Sequence, residues 1–414
     1  MRFLISKKVL TLIGIVGVIS FFSAATFFYF HTPTSEARFA EQAAKVIEVC
    51  KDESYKPACY DTEIPKVMDR GFSFEDAFKV TALIQNQDSS YWYCHVLGHN
   101  LSAKEAAKDV SKWTEVVARA PNGMCSNGSL HGAFQERFRG EYVSEEQLEE
   151  LIPEIKSICE VKAGNRDFTG LEQASCYHAL GHLSMYITNA DAPESIQLCD
   201  RVSIEGEKDF SSLCYDGAFM QIFQPLEPED IALVQDIEPK TQEESVAFCS
   251  QFEGKKRASC LTESWPLFID DIDDDPRLVE NFCSSDFEGF NKTRCLSAIF
   301  YVSAARTNFD TENITQMCSV LSGDIKAQCF ANSASRFLET DYRLAQKAVN
   351  ICDSAGKEGV GETCFQELLF YSGYNYHVGS EPFLRLCNAL PSPWKESCLN
   401  TGKSPVRAPF YAGD

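Results

Sequence analysis

The sequence predicts an all-α protein: a disulfide-stapled array of helical hairpins, an α-solenoid of about ten repeats of roughly 34–35 residues, placed after an N-terminal transmembrane helix. Three observations carry this expectation. The cysteines recur with a single period, the segments between them are apolar at a spacing of three and four, and an uncharged apolar run precedes every cysteine.

The apolar run comes first. Val9 to Phe30 carries no charge and is mostly apolar. A stretch of about 20 such residues is long enough to cross a bilayer as a helix. Lys7 and Lys8 stand immediately before it, so residues 1–8 are expected as a cytoplasmic stub, 9–30 as a signal-anchor, and the rest outside the cytoplasm. A cleaved signal peptide with Ser23-Ala24-Ala25 at its small-residue site is the rival. The anchor is favoured because the apolar run continues past that site through Phe27 to Phe30.

All 18 cysteines follow the anchor. An exported chain with an even cysteine count reads as a disulfide framework. Cys249, Cys283, Cys318, Cys352 and Cys387 are spaced by 34, 35, 34 and 35 residues. Cys260, Cys295, Cys329, Cys364 and Cys398 are spaced by 35, 34, 35 and 34. Each first cysteine therefore pairs with the second cysteine 11 or 12 residues on. Such a staple would tie the end of one helix to the start of the next, worth roughly 3 kcal/mol in the loop-closure picture. Apolar spacing in segments such as Leu296-Ser-Ala-Ile-Phe-Tyr-Val argues helix rather than strand. The N-terminal part follows the plan less regularly: Cys50/Cys59, Cys159/Cys176 and Cys199/Cys214 are expected as pairs, and Cys94 with Cys125 across adjacent repeats. By character the chain divides into a histidine-bearing part, 31–224, and a regular part, 225–414.

Charge excludes one class of partner. The chain holds 38 Lys and Arg against 60 Asp and Glu, a net −22. Such a surface repels nucleic acid, so nucleic-acid binding is excluded.

Five of the seven histidines cluster just after second-position cysteines. Tyr93-Cys-His-Val-Leu-Gly-His99 supplies His95 and His99, and Cys176-Tyr-His-Ala-Leu-Gly-His182 supplies His178 and His182. Between them, Cys125-Ser-Asn-Gly-Ser-Leu-His131 supplies His131, followed by Gly-Ala-Phe. The segment Cys214-Tyr-Asp-Gly-Ala-Phe219 echoes it with Asp216 in place of the histidine. Histidines at i and i+4 stack on one helix face, the spacing of helical zinc ligands. Imidazole suits Zn, Cu and Fe. The glycine before the second histidine costs about 1 kcal/mol of helix propensity, so its recurrence signals a close approach by a helix or a ligand. His95, His99, His131, His178 and His182, with Glu136 one turn past His131, are therefore the candidate ligands of a transition metal or a bis-histidine haem. At least three of the rings must converge, and binding should weaken as pH falls through about 6.5. Because helices pack about 8–10 Å apart, a straight array would not bring both pairs to one ion; either strong curvature or two sites sharing His131 is required.

The alternative is a scaffold that binds another envelope protein, with packing histidines and no metal. No reaction is assigned. The acidic run Asp270 to Asp275 fails the calcium-loop template, with Pro276 where the loop needs glycine. No P-loop, dinucleotide fingerprint, Gly-x-Ser-x-Gly or HExxH motif occurs.

Overall fold

The computed structural model describes residues 35–138, 145–160, 167–225, 228–284, 287 and 289–400. The run Val9–Phe30 lies outside the described residues. Among the described residues, no helix is long and apolar enough to cross a membrane.

The described chain is helical apart from two short paired strands, Ile204–Glu205 and Lys208–Asp209. Its frame is built from α1 (Ser35–Cys50), α2 (Phe74–Gln87), α3 (His95–Ala106), α4 (Gly128–Phe138), α5 (Gly170–Ile187), α6 (Ser211–Phe223), α7 (Gly254–Glu263), α8 (Phe290–Arg306), α9 (Gly323–Thr340) and α10 (Gly361–Asn375). Several helix starts are capped by side chains. Ser73 and Thr169 form capping boxes with Asp76 and Glu172, satisfying amides that a helix start leaves unpaired.

All nine expected cystine pairs are present, with Cα–Cα separations of 4.6 to 5.7 Å. No cysteine is free. Four of the five regular staples join a short outer helix, or its C-cap, to a longer inner one; the last, Cys387–Cys398, ties Glu381–Ala389 to the shorter helix Trp394–Leu399. Cys318 in Thr311–Ser319 reaches Cys329 in α9, and Cys352 in Ala345–Lys357 reaches Cys364 in α10. The two kinds of helix bury different shares of themselves. In the outer helix Glu381–Ala389 only Phe383, Leu386 and Cys387 are buried, whereas α9 buries an unbroken run from Ala327 to Leu338. A helix covered all round belongs inside, and a helix with one apolar stripe belongs at the surface.

The inner helices pack in chain order, α3 on α4, α4 on α5, and so on to α9 on α10. The row curls back on itself. Helix α10 also packs on α5, and α9 packs on the turn Cys125–Asn127 that opens α4. The backbone seals this meeting: Tyr342 N donates to Gly123 O at 3.0 Å, beside a β-bridge between Met124 and Asp341. Arg343 donates to Ala82 O at 3.2 Å and to Gln85 Oε1, both on α2, and Asn308 Nδ2 donates to Ser89 O at 2.7 Å. Of the two arrangements that the histidine spacing leaves open, the row takes the curved one, in which early and late helices touch. Polar side chains on the inner helices are consequently enclosed: His95, His99, His131, Gln221, Glu263, Asn332, Arg336 and Glu367 are all buried.

Candidate metal centre

Two helix crossings build the centre. At the first, the Cys94–Cys125 bridge pins the starts of α3 and α4 at a Cα–Cα distance of 4.6 Å. Below it the two backbones touch through glycine. A Cβ on Gly98 would lie 2.7 Å from Ser129 N, one on Gly128 2.2 Å from His95 O, and one on Gly132 2.1 Å from His99 O. The second crossing repeats the device between α5 and α6. A Cβ on Gly181 would lie 2.0 Å from Cys214 O, and one on Gly217 1.9 Å from His178 O. The glycine of His-x-x-Gly-His is therefore there for a neighbouring helix, which is one of the two explanations that its recurrence suggests.

A further device opens α4. Cys125, Ser126 and Asn127 all adopt positive φ, at 50°, 48° and 56°. For residues with a Cβ this left-handed region costs about 1–2 kcal/mol each. The turn lets the chain leave the cystine and enter α4 directly against α3, which brings His131 beside His99.

The three rings of the first crossing meet at their nitrogens. His99 Nε2 lies 3.1 Å from His95 Nε2 and 3.1 Å from His131 Nδ1. One ligand atom from each of the three lies within 4.8 Å of the other two. The three residues are 7%, 4% and 3% exposed. At the second crossing His182 Nε2 lies 3.2 Å from His178 Nε2, and His182 Nδ1 lies 2.6 Å from Gln221 Oε1. The curvature of the row brings the two crossings together around His131. Its ring centroid is 5.0 Å from that of His95, 4.9 Å from His99, 5.8 Å from His178 and 5.6 Å from His182. Five imidazoles thus form one contiguous cluster.

Burial makes all five rings poor bases. It lowers the His95 pKa to about 4, helped by the positive charge of Arg336. His99, His131 and His178 are held well below the ordinary value, first by burial and then by neighbouring imidazoles. His182 is also lowered by burial, against the opposing effect of its bond to Gln221. The rings therefore stay neutral, with lone pairs available, below the pH of about 6.5 at which an exposed histidine protonates.

Other residues take different places. Glu136 is half-buried and is not among the three residues whose ligand atoms converge. Its neighbour Gln135 hydrogen-bonds the His99 ring instead. Asp216 pairs with Arg294 of α8 rather than joining the cluster. Tyr93 stacks on His95 at 6.1 Å between centroids, and Arg336 pairs with Glu339 and lies over Tyr301. The roles of Gln135 and Arg336 were not expected. Gln135 stands one turn from His131 and was within reach of the same spacing argument. Arg336 reaches the centre only through closure of the row, which no local pattern announces.

No protein-family model, curated protein or solved structure matches this chain.

Proposed function

We propose that the protein binds a transition-metal ion through His95 Nε2, His99 Nε2 and His131 Nδ1. One observation carries this: His99 Nε2 faces two other ring nitrogens at hydrogen-bonding distance at once. A neutral imidazole nitrogen has either one proton or one in-plane lone pair. If His131 donates to His99 Nε2, that lone pair is used and the His95 contact is unmade. If His99 Nε2 carries the proton, both partners must share it. A hydrogen-bond ladder therefore satisfies one of the two contacts well, not both. An ion satisfies all three lone pairs. Two nitrogens at about 2.0–2.1 Å from a tetrahedral zinc are roughly 3.3 Å apart, close to the 3.1 Å found here.

The same distances argue for an ion over haem. Axial nitrogens on opposite sides of a haem iron stand roughly 4 Å apart with the macrocycle between them. His95 and His99 lie one turn apart on one helix, and no plane of that size fits between their nitrogens. Three protein ligands with a fourth position open is the arrangement of catalytic rather than structural zinc sites. Zinc, copper and iron all suit the donor set.

Nine disulfides support an oxidising compartment. With Lys7 and Lys8 before the run Val9–Phe30, they support a membrane-anchored, extracytoplasmic protein whose period of 34 and 35 residues is that of duplicated helical hairpins. The test is metal analysis of tag-free protein purified from an oxidising host. His99→Ala is expected to remove one ion per chain while the far-ultraviolet circular dichroism stays unchanged. Equal metal content in the two proteins would leave the histidines as packing residues and favour the scaffold role.

A further inference from the structure

We propose that a second transition-metal ion binds at His178 and His182, making the centre a two-ion site. The inference goes beyond the three-histidine site and uses different ligand atoms.

The second crossing is built as a copy of the first. Each has His-x-x-Gly-His on one helix and a glycine-bearing helix laid across it. Gly128 abuts His95 O in the first, and Gly217 abuts His178 O in the second. Gly98 meets the Gly128–Ser129 peptide, and Gly181 meets the Gly217–Ala218 peptide. The paired nitrogens have the same separation, 3.1 Å in the first copy and 3.2 Å in the second. Backbone and ligand geometry are thus both repeated, and a separation near 3.3 Å is that of two imidazoles on one tetrahedral ion.

The second copy also carries its own orienting group. Gln221 Oε1 accepts from His182 Nδ1 at 2.6 Å, since the amide oxygen has no proton to give. The proton is therefore on Nδ1, and Nε2 presents a lone pair toward His178. A metal-binding histidine is held in this way by a carbonyl on its other nitrogen. His182 and Gln221 are both buried, at 6% and 2% exposure, so the arrangement is part of the interior and not a surface contact.

The two copies differ in one ligand. In the structure Gly217 corresponds to Gly128 and not to Gly132, so the place of His131 falls to Met220 and not to Asp216 as the Gly-Ala-Phe echo suggests. The second site therefore has two imidazoles and more open positions than the first. It binds more weakly, both for want of a third imidazole and because a cation already lies on the far side of His131.

The experiment is zinc titration of tag-free, metal-stripped protein, with bound metal counted after dialysis. The full chain is expected to hold two zinc ions in two steps of different affinity. His178→Gln and His182→Gln are expected to hold one, with the tighter step kept, and His99→Ala is expected to lose the tighter step. Glutamine keeps the size and a hydrogen-bonding group, and circular dichroism checks that each variant folds. One zinc in the full chain and one in both glutamine variants would overturn the second site, leaving His178 and His182 as a hydrogen-bonded pair and the three-histidine site intact. No zinc in any protein would overturn both.

Discussion

At the level of single residues, the histidines set both the chemistry and a pH limit. Four are buried and His178 is half-buried, and desolvation opposes the charged form of each. In the metal-free protein the folded pKa of His95 is about 4, while in the unfolded chain it returns to about 6.5. Above about 6.5 neither state binds the proton and stability does not depend on this group. Between 6.5 and 4 only the unfolded state binds it, so stability falls as pH falls. Below about 4 no further loss comes from His95. The full effect is roughly 3 kcal/mol for this one residue. Denaturant unfolding of the metal-free protein is therefore expected to show stability falling from pH 6.5 towards 4, and a flat profile there would contradict the burial of the rings. The same burial bears on metal release. Burial holds all five rings below the ordinary imidazole value, so protons compete with metal only below the pH of about 6.5 that an exposed histidine would set. His95 and His99 as a pair were legible from their spacing. Their depressed basicity was not, because burial is a property of the helices around them.

At the level of elements, the crossings depend on glycine. Gly98→Ala puts a methyl 2.7 Å from a backbone nitrogen, and Gly181→Ala puts one 2.0 Å from a backbone carbonyl oxygen. Neither neighbour is a flexible side-chain end, so the helices must part. Each change is expected to destabilise the protein by about 2–4 kcal/mol. Gly98→Ala should also weaken metal binding, since parting α3 from α4 separates His99 from His131. Gly356 is the control. It sits in the helix Ala345–Lys357, and a Cβ there meets nothing within 4 Å. Gly356→Ala is expected to be neutral or to stabilise by up to about 1 kcal/mol. Thermal melts of the three variants decide the matter; equal shifts would show that propensity alone governs all three sites. The sequence marks Gly98 and Gly181 by their repetition. The left-handed run Cys125–Asn127 leaves no such mark, because it contains no glycine and its strain is held by the Cys94–Cys125 bridge.

The cystine framework was legible residue by residue, and the shape it produces was not. A period of 34 and 35 residues specifies which neighbours pack, but curvature accumulates from small rotations at each interface. Closure is then made by side chains far apart in sequence. Arg343 is the clearest case. It reaches Gln85 and the Ala82 carbonyl on α2, pairs with the buried Asp341, and lies over Trp92 at 5.4 Å. Its side chain is 12% exposed and that of Asp341 is 0% exposed, so removing the guanidinium leaves a carboxylate buried without its charge partner. The loss of one member of such a pair typically costs about 3–5 kcal/mol. Arg343→Ala is therefore expected to destabilise the protein by an amount near that range, somewhat less where water reaches the partly exposed site. The damage should also be local in an informative way. The nine staples hold each helix pair together whether or not the row closes, so the helices should persist while the two ends of the row come apart. Amide hydrogen exchange is the measurement. Protection should fall at α2, at the Gly123–Asn127 turn and at Asp341–Leu344, which are far apart in the chain and adjacent only through closure. Because that turn also aims His131, metal affinity should fall with it, although Arg343 touches none of the five histidines. Loss of protection confined to Asp341–Leu344, with metal binding unchanged, would mean that closure and the centre are independent.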